Sequence, residues 1–243
     1  MRTMRKAIVP LLATALLLPA AQAVAAEEEA EENRFHDVLL TGGLLPAWVH
    51  DDSLGPFSDD DVMMLGQMGV EVFVGQGFLV GLGYAGGVQK ADVFAGAFDS
   101  RLELHEVPVL LRYRYPVFDW LHPYARLGIG PTFARASLAQ KSWGGDRLRQ
   151  WAYGMRGSLG LGAEFLLPRR LFRRSLPEGA GGFTMGFALE AGYAYRLPLG
   201  FHRMRQPAGS EEDFEDQLPQ GAVDLGTLKA SGVYWSLDLV LHF

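Results

Sequence analysis

The sequence predicts an all-β fold, an eight-stranded antiparallel transmembrane up-and-down β-barrel, and three observations carry that prediction. Eight segments alternate apolar and polar residues with the two-residue period of a strand. In the clearest of them the second face is rich in glycine and alanine, which suits the crowded inside of a narrow barrel. Beyond the first 26 residues no segment approaches the roughly 18 apolar residues of a spanning helix, so a mature chain that spans a membrane has to do so as a closed barrel.

Composition agrees. Of 243 residues, 30 are glycine and 12% are aromatic, a balance that favours strands over long helices. The hydrophobic share of 49% is ordinary, as expected when only alternate residues face lipid. There is no cysteine, which excludes a disulfide framework, a thiolate metal site and a cysteine nucleophile. The net charge of −6 opposes a nucleic-acid partner, which requires a basic surface.

The chain divides into three parts. Residues 1–26 read as a signal peptide: Arg2, Arg5 and Lys6 form a basic start, 7–20 an apolar core broken by Pro10 and Pro19, and small residues allow cleavage after Ala23 or Ala26. Residues 27–35 are an acidic linker whose like charges have no apolar partner to bury. Residues 36–243 are the barrel.

The eight expected strands are 37–49, 62–75, 78–87, 102–115, 124–136, 150–166, 183–197 and 232–243. The last places Val233, Trp235, Leu237, Leu239, Leu241 and Phe243 on one face, against Tyr234, Ser236, Asp238 and His242, with Val240 the one exception. The seventh sets Phe183, Met185, Phe187, Leu189, Ala191, Tyr193 and Tyr195 against Thr184, Glu190, Arg196 and small residues. The sixth sets Trp151, Tyr153, Met155, Leu159, Leu161 and Phe165 against Gln150, Arg156, Ser158 and Glu164. The first strand has no clear orientation. Aromatics gather at strand ends (Trp48, Tyr113, Tyr115, Trp120, Tyr124, Trp151, Tyr193, Tyr195 and Trp235), where interfacial girdles belong. With the first strand running outward, the outer loops are 50–61, 88–101, 137–149 and 198–231. The periplasmic turns are 76–77, 116–123 and 167–182, the last carrying Arg169, Arg170, Arg173 and Arg174.

Three segments carry a family resemblance: Glu106-Val-Pro-Val-Leu-Leu-Arg-Tyr-Arg-Tyr115, Tyr124-Ala-Arg-Leu-Gly-Ile-Gly-Pro131 and Tyr234-Trp-Ser-Leu-Asp-Leu-Val-Leu-His-Phe243. Together with the signal peptide and eight amphipathic strands, they resemble the OmpA/OmpX-type small eight-stranded outer-membrane β-barrel family over about residues 36–243. The resemblance implies a place in the bacterial outer membrane, reached by export through the inner membrane. It implies contact with outer-membrane lipids and lipopolysaccharide, and recognition by the barrel-assembly machinery. The assembly signal it implies is Tyr234, Trp235, Leu237, Leu239, Leu241 and Phe243. It does not choose among the structural anchors, adhesins, small channels and lipid-modifying enzymes built on such barrels.

Alternation places five acids inside the barrel, Glu71, Glu106, Glu164, Glu190 and Asp238, and five bases, Arg112, Arg114, Arg126, Arg156 and Arg196. A charge left alone in a narrow lumen costs several kcal/mol, so these groups have to pair or reach water. A balanced set across neighbouring strands is read as an ionic network that plugs the barrel; a narrow gated ion path is the alternative. Lipid hydrolysis fits poorly. The single asparagine is Asn33, in the linker, and Ser236 and His242 lie about 20 Å apart along one inward face. His105 and His122 read as ordinary polar residues near strand ends. The acidic runs Asp51, Asp52, Asp59, Asp60, Asp61 and Glu211, Glu212, Asp213, Glu215, Asp216 match no EF-hand loop and read as solvated loops, with divalent bridging to lipopolysaccharide phosphates as the sharper alternative. The expectation is a non-enzymatic barrel, structural or surface-interacting through loops 50–61 and 198–231. A small channel for ions or apolar solutes is the second reading and a lipid-modifying enzyme the third. No cofactor and no metal is expected. A monomer is expected, because a closed barrel has no free edge.

Overall fold

Strand β1 (Val38–Val49) pairs antiparallel with β2 (Val62–Gly75) on one side and with the last long strand, β11 (Gly232–His242), on the other. First and last strands therefore close the sheet on itself. From β11 the ring runs through β8 (Thr184–Arg196), β7 (Arg147–Leu166), β6 (Leu121–Gln140), β4 (Phe98–Glu106) with β5 (Val109–Arg114), and β3 (Phe78–Val93), which returns to β2. Strands β4 and β5 are one stave of the wall. Their register against β3 and β6 continues unbroken from Glu106 to Val109, and only Pro108, which has no N–H to donate, interrupts the ladder. The wall is thus an eight-stranded antiparallel barrel. A short ladder, β9 (Leu199–Gly200) with β10 (Thr227–Leu228), lies beyond one end.

The computed structural model describes residues 38–58, 60–93, 96–140, 147–167, 184–202, 204 and 223–243. The expected signal peptide, the acidic linker, Asp59, the arginines of 169–174 and the acidic run 211–216 lie outside them.

Both chain ends of the barrel meet at one rim, where Val38 N–H donates to Phe243 O and Phe243 N–H to Val38 O. The tight hairpin from β2 to β3 lies at the same rim. Gln76 and Gly77 both have positive φ, 51° and 80°, the pair of left-handed residues that matches a two-residue turn to strand twist. The longest connection, between β9 and β10, lies at the opposite rim, and by the expectation of longer outer loops the rim with the chain ends is assigned as periplasmic.

Side chains alternate between lumen and exterior, with Pro46 on β1, buried between Leu45 and Ala47, an exception. Strand β1, unassigned from sequence, turns Leu39, Leu45, Ala47 and Val49 inward and Leu44 and Trp48 outward. Val240, the exception on the polar face of β11, packs inside against Leu39, Leu79, Tyr124 and Ala188. Tyr124 therefore points into the lumen and is no part of the girdle. Outside, Leu127, Ile129, Leu159, Leu161, Leu189 and Leu237 are all half or nearly half exposed, an apolar belt that suits lipid and not water.

Much of two expected loops is strand. The stretches 88–101 and 137–149 were read as outer loops, yet β3 runs to Val93, β4 starts at Phe98, β6 runs to Gln140 and β7 starts at Arg147. Outward residues there include the charged Lys90, Asp92, Asp99, Arg101 and Arg149, while Ala91, Ser100 and Leu138 are buried on the inner face. A sheet that rises out of the membrane keeps its apolar lining and exchanges its apolar exterior for a polar one.

Candidate functional site

The lumen is where the chain concentrates its chemistry. All ten charged residues assigned to it from sequence lie inside, and none is more than 7% exposed. Alternation positions them: odd residues face inward on β1–β3 and even residues on β4–β8 and β11.

They form three groups. Toward the periplasmic rim, Arg112 donates through Nε and Nη2 to the two oxygens of Glu71, at 2.9 and 2.7 Å, and through Nη1 to Glu164. Arg114 donates to Glu164 at 3.4 Å and to Nδ1 of His242 at 3.2 Å. The Arg112 guanidinium also lies 4.3 Å from the centre of the Tyr124 ring, a cation–π contact. At mid-barrel, Glu190 Oε1 accepts from Arg126 Nε and Nη2, at 3.1 and 2.7 Å, and from the Tyr234 hydroxyl at 2.6 Å. Nearer the outer end, Glu106 accepts from Arg156 at 2.7 Å and from Arg196 at 2.6 and 3.2 Å, while Arg196 Nη1 also donates to Ala230 O at 2.7 Å.

Two features depart from the sequence reading. The network was expected across neighbouring strands, but each of these ion pairs skips at least one stave: β5 to β2 and β7, β6 to β8, and β4 to β7 and β8. Register explains it. Arg112 stands directly opposite Arg126, and Arg156 directly opposite Arg196, so adjacent staves present like charges and the acids reach them across the bore. The second departure is Asp238, which makes no ion pair among the described residues. Gln67 Nε2 donates to both of its oxygens at 2.8 Å, and Ser236 Oγ donates at 2.9 Å.

Sequence reasoning missed Gln67, Tyr124 and Tyr234 as members of the network. The signal was parity: Gln67 shares it with Glu71, Tyr124 with Arg126, and Tyr234 with Asp238. Glycine makes room for these groups. A Cβ at Gly160 would stand 2.5 Å from the Tyr234 hydroxyl and against the Glu190 carboxylate. The cavity lined by Thr41, Gln67, Leu110, Arg126, Arg156 and Ser158 has a volume of about 20 Å³, on the scale of a single water.

Above the charges the lumen is apolar. Leu45, Met63, Leu65, Leu102, Leu104 and Leu138 from the wall meet Leu54 and Phe57 from the first outer connection and Leu199, Phe201 and Leu228 from the last. The rings of Phe57 and Phe201 are 5.6 Å apart. The first connection is held by a one-turn 3-10 helix, Asp52–Leu54, capped by Asp51, whose carboxylate accepts from Ser53 N–H at 3.0 Å. The bonds from Ser53, with Lys229 nearby, hold the Asp51 carboxyl below its usual range. Lys229 N–H donates to Ser53 Oγ at 2.8 Å, tying the two connections together.

The remaining candidates are placed as follows. Ser236 is engaged with Asp238 and His242 with Arg114, so the two do not meet. His105 faces outward and accepts or donates one hydrogen bond with the Tyr84 hydroxyl, at 2.7 Å; His122 is buried in the lumen. In the terminal strand Trp235, Leu237, Leu239 and Phe243 face outward, Leu241 is half-buried, and Tyr234 faces inward. Among the described residues no three His, Asp or Glu side chains gather as metal ligands.

The structure is similar to that of Ail, the attachment invasion locus protein of Yersinia pestis, solved with the heparin analogue sucrose octasulfate (12% identity, 86% of this chain and 99% of that one covered, TM-score 0.45). It is similar to Neisserial surface protein A (10% identity, 85% and 97% covered, TM-score 0.44) and to the outer membrane protein OprG of Pseudomonas aeruginosa (14% identity, 86% and 96% covered, TM-score 0.47). No curated protein matches the chain in sequence. The family model of the outer membrane protein beta-barrel domain matches residues 11–201, well over half of the chain. The closed ring, the apolar exterior and this match lead to one conclusion: the chain belongs to the outer membrane protein beta-barrel domain family and is an eight-stranded barrel of the bacterial outer membrane.

Proposed function

We propose that this protein is a non-conducting, non-enzymatic barrel that acts as a structural or surface-interaction element, with its outer connections 50–61 and 198–231 as the contact surface. The observation that carries this reading is the doubly filled lumen. Cross-bore ion pairs occupy its middle and periplasmic part, and an apolar cap built on Phe57 and Phe201 occupies its outer end. An ion crossing it would have to displace buried, mutually neutralising pairs and then pass an apolar layer, both costly steps. The separation of Ser236 from His242 supports a role without hydrolytic chemistry. In this reading the barrel is a monomer among lipopolysaccharide and other outer-membrane lipids, and the barrel-assembly machinery takes the terminal strand by its outward Trp235, Leu237, Leu239 and Phe243.

Single-channel recording of the refolded mature protein in a planar bilayer tests the proposal. A folded preparation is expected to be electrically silent. Steady or gated openings would refute the sealed lumen and make the arginine and glutamate set the lining of a transport path.

A further inference from the structure

We propose that the lumen binds one monatomic anion, a halide such as chloride, in the small cavity lined by Arg126 and Arg156. The inference goes beyond the contact role of the barrel. A bound halide is compatible with a silent or a conducting lumen, so conductance tests that reading separately.

Charge balances over the lumen as a whole but not within each group. The periplasmic group sets Glu71 and Glu164 against Arg112 and Arg114, and the middle group sets Glu190 against Arg126. Asp238 is held by the neutral donors Gln67 and Ser236 and makes no ion pair among the described residues. The outer group sets Glu106 alone against both Arg156 and Arg196. It therefore carries one surplus positive charge, in a bore where an unmatched charge is costly.

The two arginines of that group are not equally satisfied. Arg196 donates through Nε and Nη2 to Glu106 and through Nη1 to Ala230 O. Arg156 reaches Glu106 through Nη1. Its Nε is buried and donates to no partner among the described residues. A buried donor on a cation without an acceptor is a costly arrangement, and here it coincides with the surplus charge. Arg156 also lines the cavity of about 20 Å³, together with Arg126, Thr41, Gln67 and Ser158.

The lining is rich in donors. Arg126 bonds Glu190 through Nε and Nη2, which leaves Nη1 to donate elsewhere. The Thr41 and Ser158 hydroxyls each lie over a glycine of the adjoining stave: a Cβ at Gly69 would stand 2.9 Å from Thr41 Oγ1, and one at Gly128 2.7 Å from Ser158 Oγ. Gln67, whose Nε2 is engaged by Asp238, adds only a carbonyl oxygen. Four side chains on β1, β6 and β7 can thus offer N–H or O–H hydrogens to one small space. A water there would accept from about two of them and leave the surplus charge in place, whereas a halide accepts from all and removes it. The volume suits a guest on the scale of one water, which rules out sulfate, phosphate and carboxylates.

The test uses the full mature chain, refolded in neutral detergent and unfolded by urea in mixtures of sodium chloride and sodium gluconate at constant ionic strength. Chloride is varied from about 1 mM to about 1 M. One anion released on unfolding makes the unfolding constant fall about tenfold for each tenfold rise in chloride once the site is filled. Bromide is expected to replace chloride in this effect. Arg156→Met, which leaves Glu106 with Arg196, is expected to abolish the chloride dependence. Ser158→Ala is expected to raise the chloride concentration at which it sets in by about threefold or more. If Arg156→Met fails to fold, anomalous scattering from wild-type crystals grown in bromide decides, with the peak expected beside Arg156 and Ser158. A wild-type unfolding constant that is the same in chloride and gluconate, a folded Arg156→Met variant that keeps the dependence, or a bromide peak elsewhere or none overturns the proposal.

Discussion

Arg156 and Arg196 stand directly opposite one another on adjacent staves, yet both turn to Glu106 across the bore, at 2.7 and 2.6 Å. One carboxylate thus neutralises two side-by-side guanidiniums, and the two substitutions at this site are not equivalent. Arg156→Met leaves Glu106 with Arg196. Glu106→Gln leaves two buried cations facing each other. Breaking a buried pair by removing one partner costs about 3–5 kcal/mol, so Glu106→Gln is expected to fall in or above that range and Arg156→Met below it. Urea unfolding of the refolded barrel in detergent measures both. Equal losses would show that Arg196 does not hold Glu106 alone.

Gly160 is the inner-wall position that admits the Glu190–Tyr234 contact. In Gly160→Val the new side chain would occupy the place of the Tyr234 hydroxyl and the Glu190 carboxylate. Overpacking of this kind costs about 1–3 kcal/mol, with loss of the bond to Arg126 added. Gly157, whose Cβ would meet nothing within 4 Å, is the control. Gly157→Ala is expected to unfold at the wild-type urea midpoint, and Gly160→Val well below it.

The outer cap depends on Phe57 and Phe201, both buried to 1% exposure or less. Replacing a buried phenylalanine with alanine costs about 3–5 kcal/mol. That cost falls on the cap, since neither ring belongs to the hydrogen-bonded wall. The double variant Phe57→Ala/Phe201→Ala is expected to expose the 198–231 connection to protease while barrel circular dichroism stays unchanged. Loss of the barrel signal would show that the cap is required for the wall.

Acid should loosen the same cap. Asp224 accepts from Gly226 N–H at 2.7 Å and bonds His202 at 2.9 Å. The bond from Gly226 foremost, with that from His202, holds its carboxyl below the usual aspartate range. A carboxylate depressed in the folded state contributes stability that is present above its unfolded pKa and is lost as pH falls through the folded value. Proteolysis of the 198–231 connection is therefore expected to be constant from about pH 7 to pH 5 and to rise below about pH 4. Asp224→Asn should lessen that rise, the remainder belonging to Asp51, which is held low in the same cap. A rise centred near pH 6 would assign the effect to another group.

The wall was legible because it rests on a local rule. Strand period is a property of the backbone, so the outward Trp235, Leu237 and Leu239 and the inward Ser236 and Asp238 follow from sequence order alone. Glu71, Arg112, Glu164 and Arg196 were placed inside by the same parity. The rule failed where its chemistry changed. Along 88–101 and 137–149 the exterior turns polar as the sheet leaves the membrane, and polarity on the outer face resembled a loop. At Tyr124 an aromatic near a strand end resembled a girdle residue, although its even parity shared with Arg126 pointed inward.

Sequence by itself determined the period of the strands, the balance of five inward acids with five inward bases, and the glycines that keep the lumen narrow yet passable to large side chains. Only the tertiary structure decided which acid meets which base, that Asp238 is held by Gln67 instead of an arginine, and that Phe57 and Phe201 meet over the charges. The reason is physical. Alternation fixes the face of each residue, but the choice of partner across the bore depends on the stagger and curvature of the closed sheet, and these are set by all eight staves at once.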